Sequence, residues 1–153
     1  MYLAELNISE LLHPVSDPRL ADFVGYLNRV NAVAERTEGF VWRLKDDSGN
    51  ATGMSSPWGD DFIVNMSVWE TPEQLEHFVW STVHKRVYNR KQEWFRLMKT
   101  HHFVMWWIDE GHLPDLDEAK QRLDYLDAHG ESDHAFSWAH LPHIKLWQGQ
   151  RCG

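Results

Sequence analysis

The segment Phe103–Ile108, which reads FVMWWI, constrains the fold of this chain more than any other. It is far shorter than the roughly 20 apolar residues of a membrane-spanning helix, and it offers no polar face to solvent. Because side chains of a strand alternate between the faces of a sheet, the segment predicts a central strand with layers packed on both sides. Trp106 and Trp107 then point to opposite faces, one beneath helices and the other toward a cavity or a subunit interface.

The remaining elements follow from periodicity and from residues that begin or end helices. Strands are predicted at Tyr2–Leu11, Phe40–Lys45 and Phe62–Trp69, with a short fifth strand at Ala135–Trp138. Helices are predicted from Asp17-Pro18 to Gly39, from Thr71-Pro72 to about Met98 with a break near Ser81-Thr82, and from Asp115 through Ala128. The stretch 46–60 is rich in Gly, Ser, Asp and Asn and predicts a loop.

The order β-α-β-β-α-β, with a helix and a strand added at the C-terminal end, indicates an α+β ferredoxin-like fold with an antiparallel sheet. The helices of that fold cover one face of the sheet. The strands of this chain are apolar on both sides, so the second face needs a cover as well. Two sheets paired by twofold symmetry would provide it. We therefore expect residues 1–153 to form a single domain and two copies to form a homodimeric α/β barrel.

Charge and cysteine content exclude several classes of protein. The formal net charge is −8, whereas nucleic acids and anionic membrane surfaces attract clustered Lys and Arg. We therefore expect neither partner. The single cysteine, Cys152, rules out an intrachain disulfide. The N-terminal MYLAELNISELL lacks the basic region of a signal peptide, so the predicted location is cytoplasmic.

Two polar residues interrupt the apolar arc that the stretch 83–98 would show as a helix. His84 and Lys91 lie on one stripe of that arc, which also carries Tyr88 and Trp94. Polar residues that break a pattern mark candidate functional sites. The alternative is a core histidine bonded to the backbone and a lysine whose amine reaches solvent. We predict that His84 is a catalytic base facing an internal pocket, and that Tyr88, Lys91 and Trp94 bind the ligand.

A second group of polar residues lies within predicted strands, where polar side chains are depleted. By alternation Asn65, Ser67 and Trp69 share one face, and Asn7 on the first strand would join them. We predict Asn7 and Asn65 as catalytic hydrogen-bond donors and Ser67 and Trp69 as ligand-binding residues. The alternative is that these groups satisfy one another in the interior.

Other candidates are less specific. Trp106, Trp107 and His112 complete the predicted ligand-binding set. Arg43 is able to reach an anionic group of a ligand, although an edge-strand arginine is usually solvated. The chain has ten histidines, but none has the spacing of a zinc site, so no metal site is predicted.

Several motifs together resemble an uncharacterised bacterial family, domain of unknown function 3291. They run from about Leu3 to Trp138 and include LAELNISELLHP, FVWRL, NMSVWETPEQLEHFV, HKRVYNRKQEWF and FVMWWIDEGHLP. This family is grouped with dimeric α/β-barrel proteins, which also include antibiotic-biosynthesis monooxygenases and small haem-degrading monooxygenases. The resemblance implies the fold and leaves the activity open.

The haem-degrading relatives use an Asn on the first strand, and a Trp and a His on the helix that follows a strand ending in V-W-E. Asn7 matches the first of these residues. The shared motif places Phe78 at the Trp position and Tyr88 at the His position, with His84 one turn earlier. The resemblance therefore implies no haem degradation and leaves haem binding open.

The resemblance to the antibiotic-biosynthesis monooxygenases implies a small homodimeric enzyme without a cofactor. Its expected reaction is oxygenation of a hydrophobic aromatic or polyketide-like molecule held in the barrel cavity. A haem- or small-ligand-binding protein without turnover is the alternative. A structural dimer whose tryptophans only pack is a third possibility.

Overall fold

A computed structural model of the protein describes residues 1–45, 56–59, 61–80, 90–96 and 101–141. The strands are β1 (Tyr2–Glu10), β2 (Phe40–Arg43), β3 (Phe62–Trp69) and β4 (Phe103–Ile108). The helices are α1 (Ala21–Arg36), α2 (Pro72–Val79), α3 (Lys91–Trp94) and α4 (Leu116–His129). Short 3-10 turns lie at Pro18–Leu20 and Trp138–His140. The predicted α+β, ferredoxin-like order is confirmed, and β3 and β4 have the predicted bounds.

The sheet is antiparallel and open, with the strand order β2-β3-β1-β4. The prediction that Phe103–Ile108 is central is therefore wrong, because β1 and β3 are the inner strands. β4 is nevertheless not a bare edge. Met105 N donates to Phe136 O at 2.7 Å, and Phe136 N donates back to Met105 O at 3.0 Å. A strand was predicted at Ala135–Trp138. The structure has only this isolated bridge at Phe136 in its place.

The two faces of the sheet are each covered by helices of the same chain. One face, called the α1 face below, carries Leu3, Glu5 and Asn7 of β1 with their partners on β3 and β4. Its apolar residues pack with those of α1 and α2. The opposite α4 face packs against α4, and its buried residues are Ala4, Leu6, Ile8, Val64, Met66, Val68, Val104, Trp106 and Ile108.

The cover of the α4 face corrects one expectation from the sequence. Ala119, Leu123 and Leu126 of α4 belong to the same apolar cluster as the sheet residues and are at most 2% exposed. The second face thus does not need a second subunit to remove it from water. The homodimer stays a prediction, but an uncovered sheet face no longer supports it.

Local sequence signals set both ends of α4 and the start of α2. The Asp115 carboxylate accepts from Glu118 N at 2.8 Å and begins α4, and Gly130, with φ of 78°, ends it. Thr71 Oγ1 accepts from Gln74 N at 3.3 Å in the predicted capping box of α2. No helix in the described part of the chain is long and apolar enough to cross a membrane.

The helix predicted to reach about Met98 ends earlier, because Phe95 is not helical. α2 ends at Val79, and the predicted break at Ser81-Thr82 lies outside the described residues. After the single turn of α3, Phe95 is extended and forms a bridge with Leu11. Phe95 also packs edge-on against Phe23, with ring centroids 5.1 Å apart. These tertiary contacts outweigh the helical periodicity that the sequence shows.

Candidate functional site

Polar side chains cross the middle of the α1 face from strand to strand. In the register of the sheet, Arg43 of β2 lies beside Ser67 of β3, and Ser67 lies beside Glu5 of β1. The next pair along the same two inner strands is Asn65 and Asn7. We call these five residues the polar band. The sequence prediction that Asn7, Asn65 and Ser67 share one face is confirmed by this register.

Glu5 is the most unusual member of the polar band. Its side chain is buried, and the residue is 6% exposed. The Ser67 hydroxyl donates to Glu5 Oε1 at 2.6 Å. Burial raises the pKa of Glu5 from 4.5 to about 8, and the hydrogen bonds from Ser67 only partly oppose that rise. The Glu5 carboxyl is therefore mostly protonated at neutral pH. Because its pKa lies close to neutral pH, it is able to release and take up a proton there.

Trp69 holds Ser67 in the orientation that serves Glu5. The indole Nε1 donates to Ser67 Oγ at 2.9 Å, so Ser67 accepts from Trp69 and donates to Glu5. Trp69 is fully buried between two rings. Phe40 meets it edge-on at 5.5 Å, and Phe78 stacks on it at 5.2 Å. Packing thus fixes the two hydrogen bonds that run from the indole to the hydroxyl and from the hydroxyl to the carboxyl.

A small cleft opens between α1 and the β2–β3 side of the polar band. It encloses about 290 Å³ of empty space, part of which is open to solvent. The closed part of the cleft is only about 10 Å³, which is room for about one water molecule. The cleft is lined by seven residues, of which Leu44 and Val64 have their side chains packed on the α4 face, namely Leu27, Asn31, Arg43, Leu44, Ile63, Val64 and Asn65.

Arg43 is enclosed rather than solvated, contrary to what is usual for an edge strand. Its side chain is only 11% exposed, and its Nε lies 3.5 Å from Glu35 Oε2. A bulge between Phe40 and Trp42 shifts the register of β2 and brings Arg43 onto the α1 face beside Ser67. The guanidinium therefore forms part of the cleft wall.

Two predicted ligand-binding residues, Lys91 and Trp94, lie on α3. Trp94 is 1% exposed and packs against Phe23 at 5.4 Å. The Arg90 guanidinium lies 4.8 Å from the centre of its ring. Lys91 is half-buried. Packing accounts for Trp94, and a ligand contact for either residue stays a prediction.

The tryptophan pair of β4 lies on opposite faces, as alternation predicts. Trp106 is buried on the α4 face, and its Nε1 donates to Glu118 Oε2 at 2.8 Å. Trp107 is half-buried on the α1 face and packs against Phe136 with ring centroids 5.7 Å apart. His112 Nε2 lies 2.7 Å from Glu118 Oε1, so it shares Glu118 with Trp106. Trp106 therefore lies across the sheet from the polar band.

His84 and Tyr88 lie outside the described residues, so their predicted roles stay predictions. Within the described ranges, no three His, Cys, Asp or Glu side chains are grouped so as to hold a metal ion.

A family model described as "Domain of unknown function (DUF3291)" matches residues 2–151. The chain belongs to this family. No curated protein is similar enough to match it. The family assignment confirms the resemblance carried by the sequence motifs.

Solved structures similar to this family member share its fold. A conserved protein from Methanosarcina mazei Go1 is 9% identical with a TM-score of 0.53, covering 71% of this chain and 94% of its own. Rv0793 from Mycobacterium tuberculosis is 10% identical with a TM-score of 0.50, covering 73% of this chain and 100% of its own.

SnoaB, a cofactor-independent oxygenase from Streptomyces nogalater, is 16% identical with a TM-score of 0.47. The match covers 74% of this chain and 98% of SnoaB. That similarity is too distant to say what this family member does.

Two residues of the site were missed by sequence reasoning. Glu5 is two residues before Asn7 in β1 and therefore faces the same side of the sheet. It lies between the apolar residues Ala4 and Leu6, and a charged residue in such a strand is a signal that the sequence shows. Asn31 interrupts the apolar stripe of α1 and is 7% exposed, yet it lines the cleft. Both follow the rule that polar residues out of pattern lie at sites.

Proposed function

We propose that the protein is an enzyme that transfers a proton to and from a small hydrophobic molecule, with the Glu5 carboxyl as the exchanging group. The observation that supports this most strongly is the buried position of Glu5 and its pKa of about 8. A general base works best when its pKa lies near the operating pH. A buried carboxyl is costly to keep, and such groups concentrate at functional sites.

Ser67 and Trp69 are positioning residues in this proposal. When Glu5 loses its proton, the Ser67 hydroxyl donates to the resulting carboxylate at 2.6 Å and stabilises its charge. The Ser67 hydroxyl oxygen accepts from Trp69 Nε1, which leaves its proton to be donated to Glu5. The carboxylate then accepts a proton from a carbon or oxygen acid beside it.

Asn7 and Asn65 would bind the oxygen on which negative charge develops. The two residues are register partners, one step along β1 and β3 from Glu5 and Ser67. Both are half-buried, whereas Glu5 is almost fully enclosed. Amide N–H groups fixed in a site of low dielectric stabilise an enolate more effectively than water does.

We further propose oxygenation without a cofactor as the reaction, acting on an aromatic or polyketide-like ketone. Glu5 would take one proton from a CH2 group beside the carbonyl. The resulting carbanion would reduce dioxygen from solution and form a carbon–oxygen bond. Cleavage of the O–O bond then yields a second carbonyl and one water, so that CH2 and O2 become C=O and H2O. The amides of Asn7 and Asn65 would hold the enolate oxygen throughout.

The direct test is titration of Glu5, followed by turnover. Carbon-13 NMR of the side-chain carboxyl should show a pKa near 8, and a value near 4.5 would overturn the proposal. Oxygen uptake with anthrone, a three-ring ketone with an acidic CH2 group, should rise with pH and level off above about 8. Glu5→Gln should lower that rate at least about 100-fold.

Matched variants test whether Glu5 or another residue exchanges the proton. Glu110→Gln makes the same chemical change at an exposed position and should leave the rate unchanged. His84→Gln tests the base predicted from the sequence. A rate that survives Glu5→Gln but not His84→Gln would assign the proton transfer to His84. Binding of anthrone without oxygen uptake would favour the alternative, a ligand-binding protein without turnover, and a Soret band on adding haemin would identify haem as the ligand.

A further inference from the structure

Within the sheet, Glu5 is closely surrounded on three sides and less so on the fourth. Its partners on the neighbouring strands are Ser67, which is 5% exposed, and Met105, which is fully buried. Leu3, two residues earlier on β1, is also fully buried. Asn7, two residues later, is half-buried. A molecule that reaches Glu5 along the sheet therefore comes from the side of Asn7.

The row of the sheet that passes through Asn7 carries two amides and one aromatic ring. Asn7 pairs with Asn65 of β3 on one side and with Phe103 of β4 on the other, and all three residues are half-buried. Direct partners in an antiparallel sheet have Cβ atoms about 4.5–5.5 Å apart. Phe103 is therefore the aromatic residue next to the amide that would hold the enolate oxygen.

The Phe103 ring is covered by Trp138. The two ring centroids lie 5.8 Å apart, and the ring planes differ by 16°. Trp138 is itself half-buried, whereas Phe136 and Leu141 on either side of it are 0% and 7% exposed. The backbone is thus anchored before and after Trp138. Rotation of its side chain to another staggered conformation is enough to uncover the face of Phe103.

We propose that Phe103 is the specificity-determining residue of the Glu5 site, that it stacks on an aromatic ring of the substrate, and that Trp138 occupies this place until the substrate binds. The inference rests on the proposed function in taking Asn7 as the group that holds the substrate oxygen. It narrows the substrate class to ketones whose carbonyl is attached directly to a planar aromatic ring.

The geometry of the ring pair suits such an exchange. A flat aromatic ring in place of Trp138 covers the same face of Phe103, so little contact is lost when one replaces the other. A saturated ring is thicker and does not stack. Another stacked pair on this side of the sheet, Trp69 with Phe78, has centroids 5.2 Å apart, but its rings are 0% and 8% exposed. The half-buried position of Phe103 and Trp138 separates them from a pair in the core.

The test compares 9-fluorenone with dicyclohexyl ketone by isothermal titration at pH 7. Both probes have one carbonyl and the same number of carbon atoms, but only fluorenone is flat and aromatic, and it has no CH2 group to lose a proton. The wild type should bind fluorenone at least about threefold more tightly. Phe103→Leu should remove that preference by weakening fluorenone alone, and Phe103→Tyr should keep it. Equal binding of the two probes, or of neither, by the wild type overturns the inference.

Trp138→Ala distinguishes the exchange from a stack that only stabilises the fold. If the stack were purely structural, loss of either ring would affect binding alike. Trp138→Ala should instead bind fluorenone at least about threefold more tightly than the wild type, because no ring has to be displaced. Phe103→Leu should bind it more weakly. Unchanged or weaker binding in Trp138→Ala contradicts the inference.

Phe62→Leu is the matched control. Phe62 is also a half-buried phenylalanine on a strand, but it packs with the cluster on the α4 face. Its preference for fluorenone should equal that of the wild type. If Phe62→Leu and Phe103→Leu lose the preference alike, the loss is a general effect of removing a ring, and the inference fails. Melting temperatures check that each variant folds. Should Phe103→Leu not fold, Trp138→Ala and the probe pair on the wild type still decide the outcome.

The result is separable from the proposed function. Glu5→Gln should bind fluorenone as the wild type does, because no proton moves when this probe binds. Loss of anthrone turnover in Glu5→Gln together with unchanged fluorenone binding in Phe103→Leu would refute the role of Phe103 and leave the proton transfer in place. The opposite pair of results would leave a site for aromatic ketones in a protein with another activity.

Discussion

The two faces of the sheet are built from the same strands but from different kinds of residue. On the α4 face, Ala4, Leu6 and Ile8 of β1 are all apolar and at most 2% exposed. On the α1 face, Glu5 and Asn7 alternate with them. Helices cover the sheet on both sides, so a lack of cover does not explain the difference. The α4 face has the composition of a core, while the α1 face keeps polar groups that a core does not need.

The polar band therefore has a cost that the α4 face avoids. Burying a carboxyl removes its hydration, and the hydrogen bonds of Ser67 compensate Glu5 only in part. A chain under selection for stability alone would place an apolar residue there, as it does at Leu6. This contrast is the main structural reason to regard the α1 face as the functional one.

The largest expected effect is a difference in the free energy of unfolding between variants of two neighbouring residues that face opposite sides of the sheet. Leu6→Ala on the α4 face should lower the free energy of unfolding by about 2–5 kcal/mol, because it leaves a cavity in a closely packed cluster. Asn7→Ala on the α1 face should change it by less than about 1 kcal/mol, since Asn7 is half-buried. Urea unfolding of both variants measures the difference. Equal losses would show that the two faces contribute alike to stability, and the contrast would fail.

Much of the fold follows from local patterns. The alternation of β3 and the apolar run of β4 predict their bounds to the residue, and Asp115 and Gly130 bracket α4 as expected. Strand order is different, because no local signal shows that Phe136 closes the free side of β4 through hydrogen bonds to Met105. The role of α4 was missed for the same reason. Its apolar stripe is visible, but the face that it covers is set by tertiary packing.

The site was predictable in part. Parity along β3 places Asn65 and Ser67 together, and the register adds Asn7. The same alternation places Glu5 on this face. The raised pKa of Glu5 depends on its burial, which a single sequence does not give. The side of the sheet that Arg43 faces depends on a bulge in β2, because a shift of one residue moves a side chain to the other face. The sequence contains no local signal that predicts this bulge.

A smaller effect should appear in the dependence of stability on pH. The native pKa of Glu5 is about 8 and its ordinary value is 4.5, so between these values the folded chain holds a proton that the unfolded chain has lost. Unfolding is then favoured as pH rises, and stability is fully kept only below about pH 4.5. The Glu5 contribution should fall by about 1.4 kcal/mol for each pH unit in the middle of that window.

Glu5→Gln isolates this term. Glutamine keeps an acceptor oxygen for the Ser67 hydroxyl and has no proton to lose. The stability difference between variant and wild type should therefore grow in favour of the variant from pH 5 to pH 8, measured by urea unfolding at each pH. Parallel pH profiles would mean that Glu5 titrates alike in both states. Burial of Glu5 would then not lower the free energy of unfolding as pH rises, and the two faces would differ in composition only.

The smallest expected effect lies at the rim of the α4 face, where its few polar contacts meet. His112 and Trp106 share the Glu118 carboxylate at 2.7 and 2.8 Å, but the His112 side chain is 49% exposed. An exposed pair gains little, so His112→Ala should lower the free energy of unfolding by less than about 0.5 kcal/mol. Urea unfolding at low and high salt measures it. A loss above about 1 kcal/mol would mean that His112 orients Glu118 for the buried indole of Trp106. The α4 face would then depend on a polar network as the α1 face does, and function could no longer be assigned to one face by that difference.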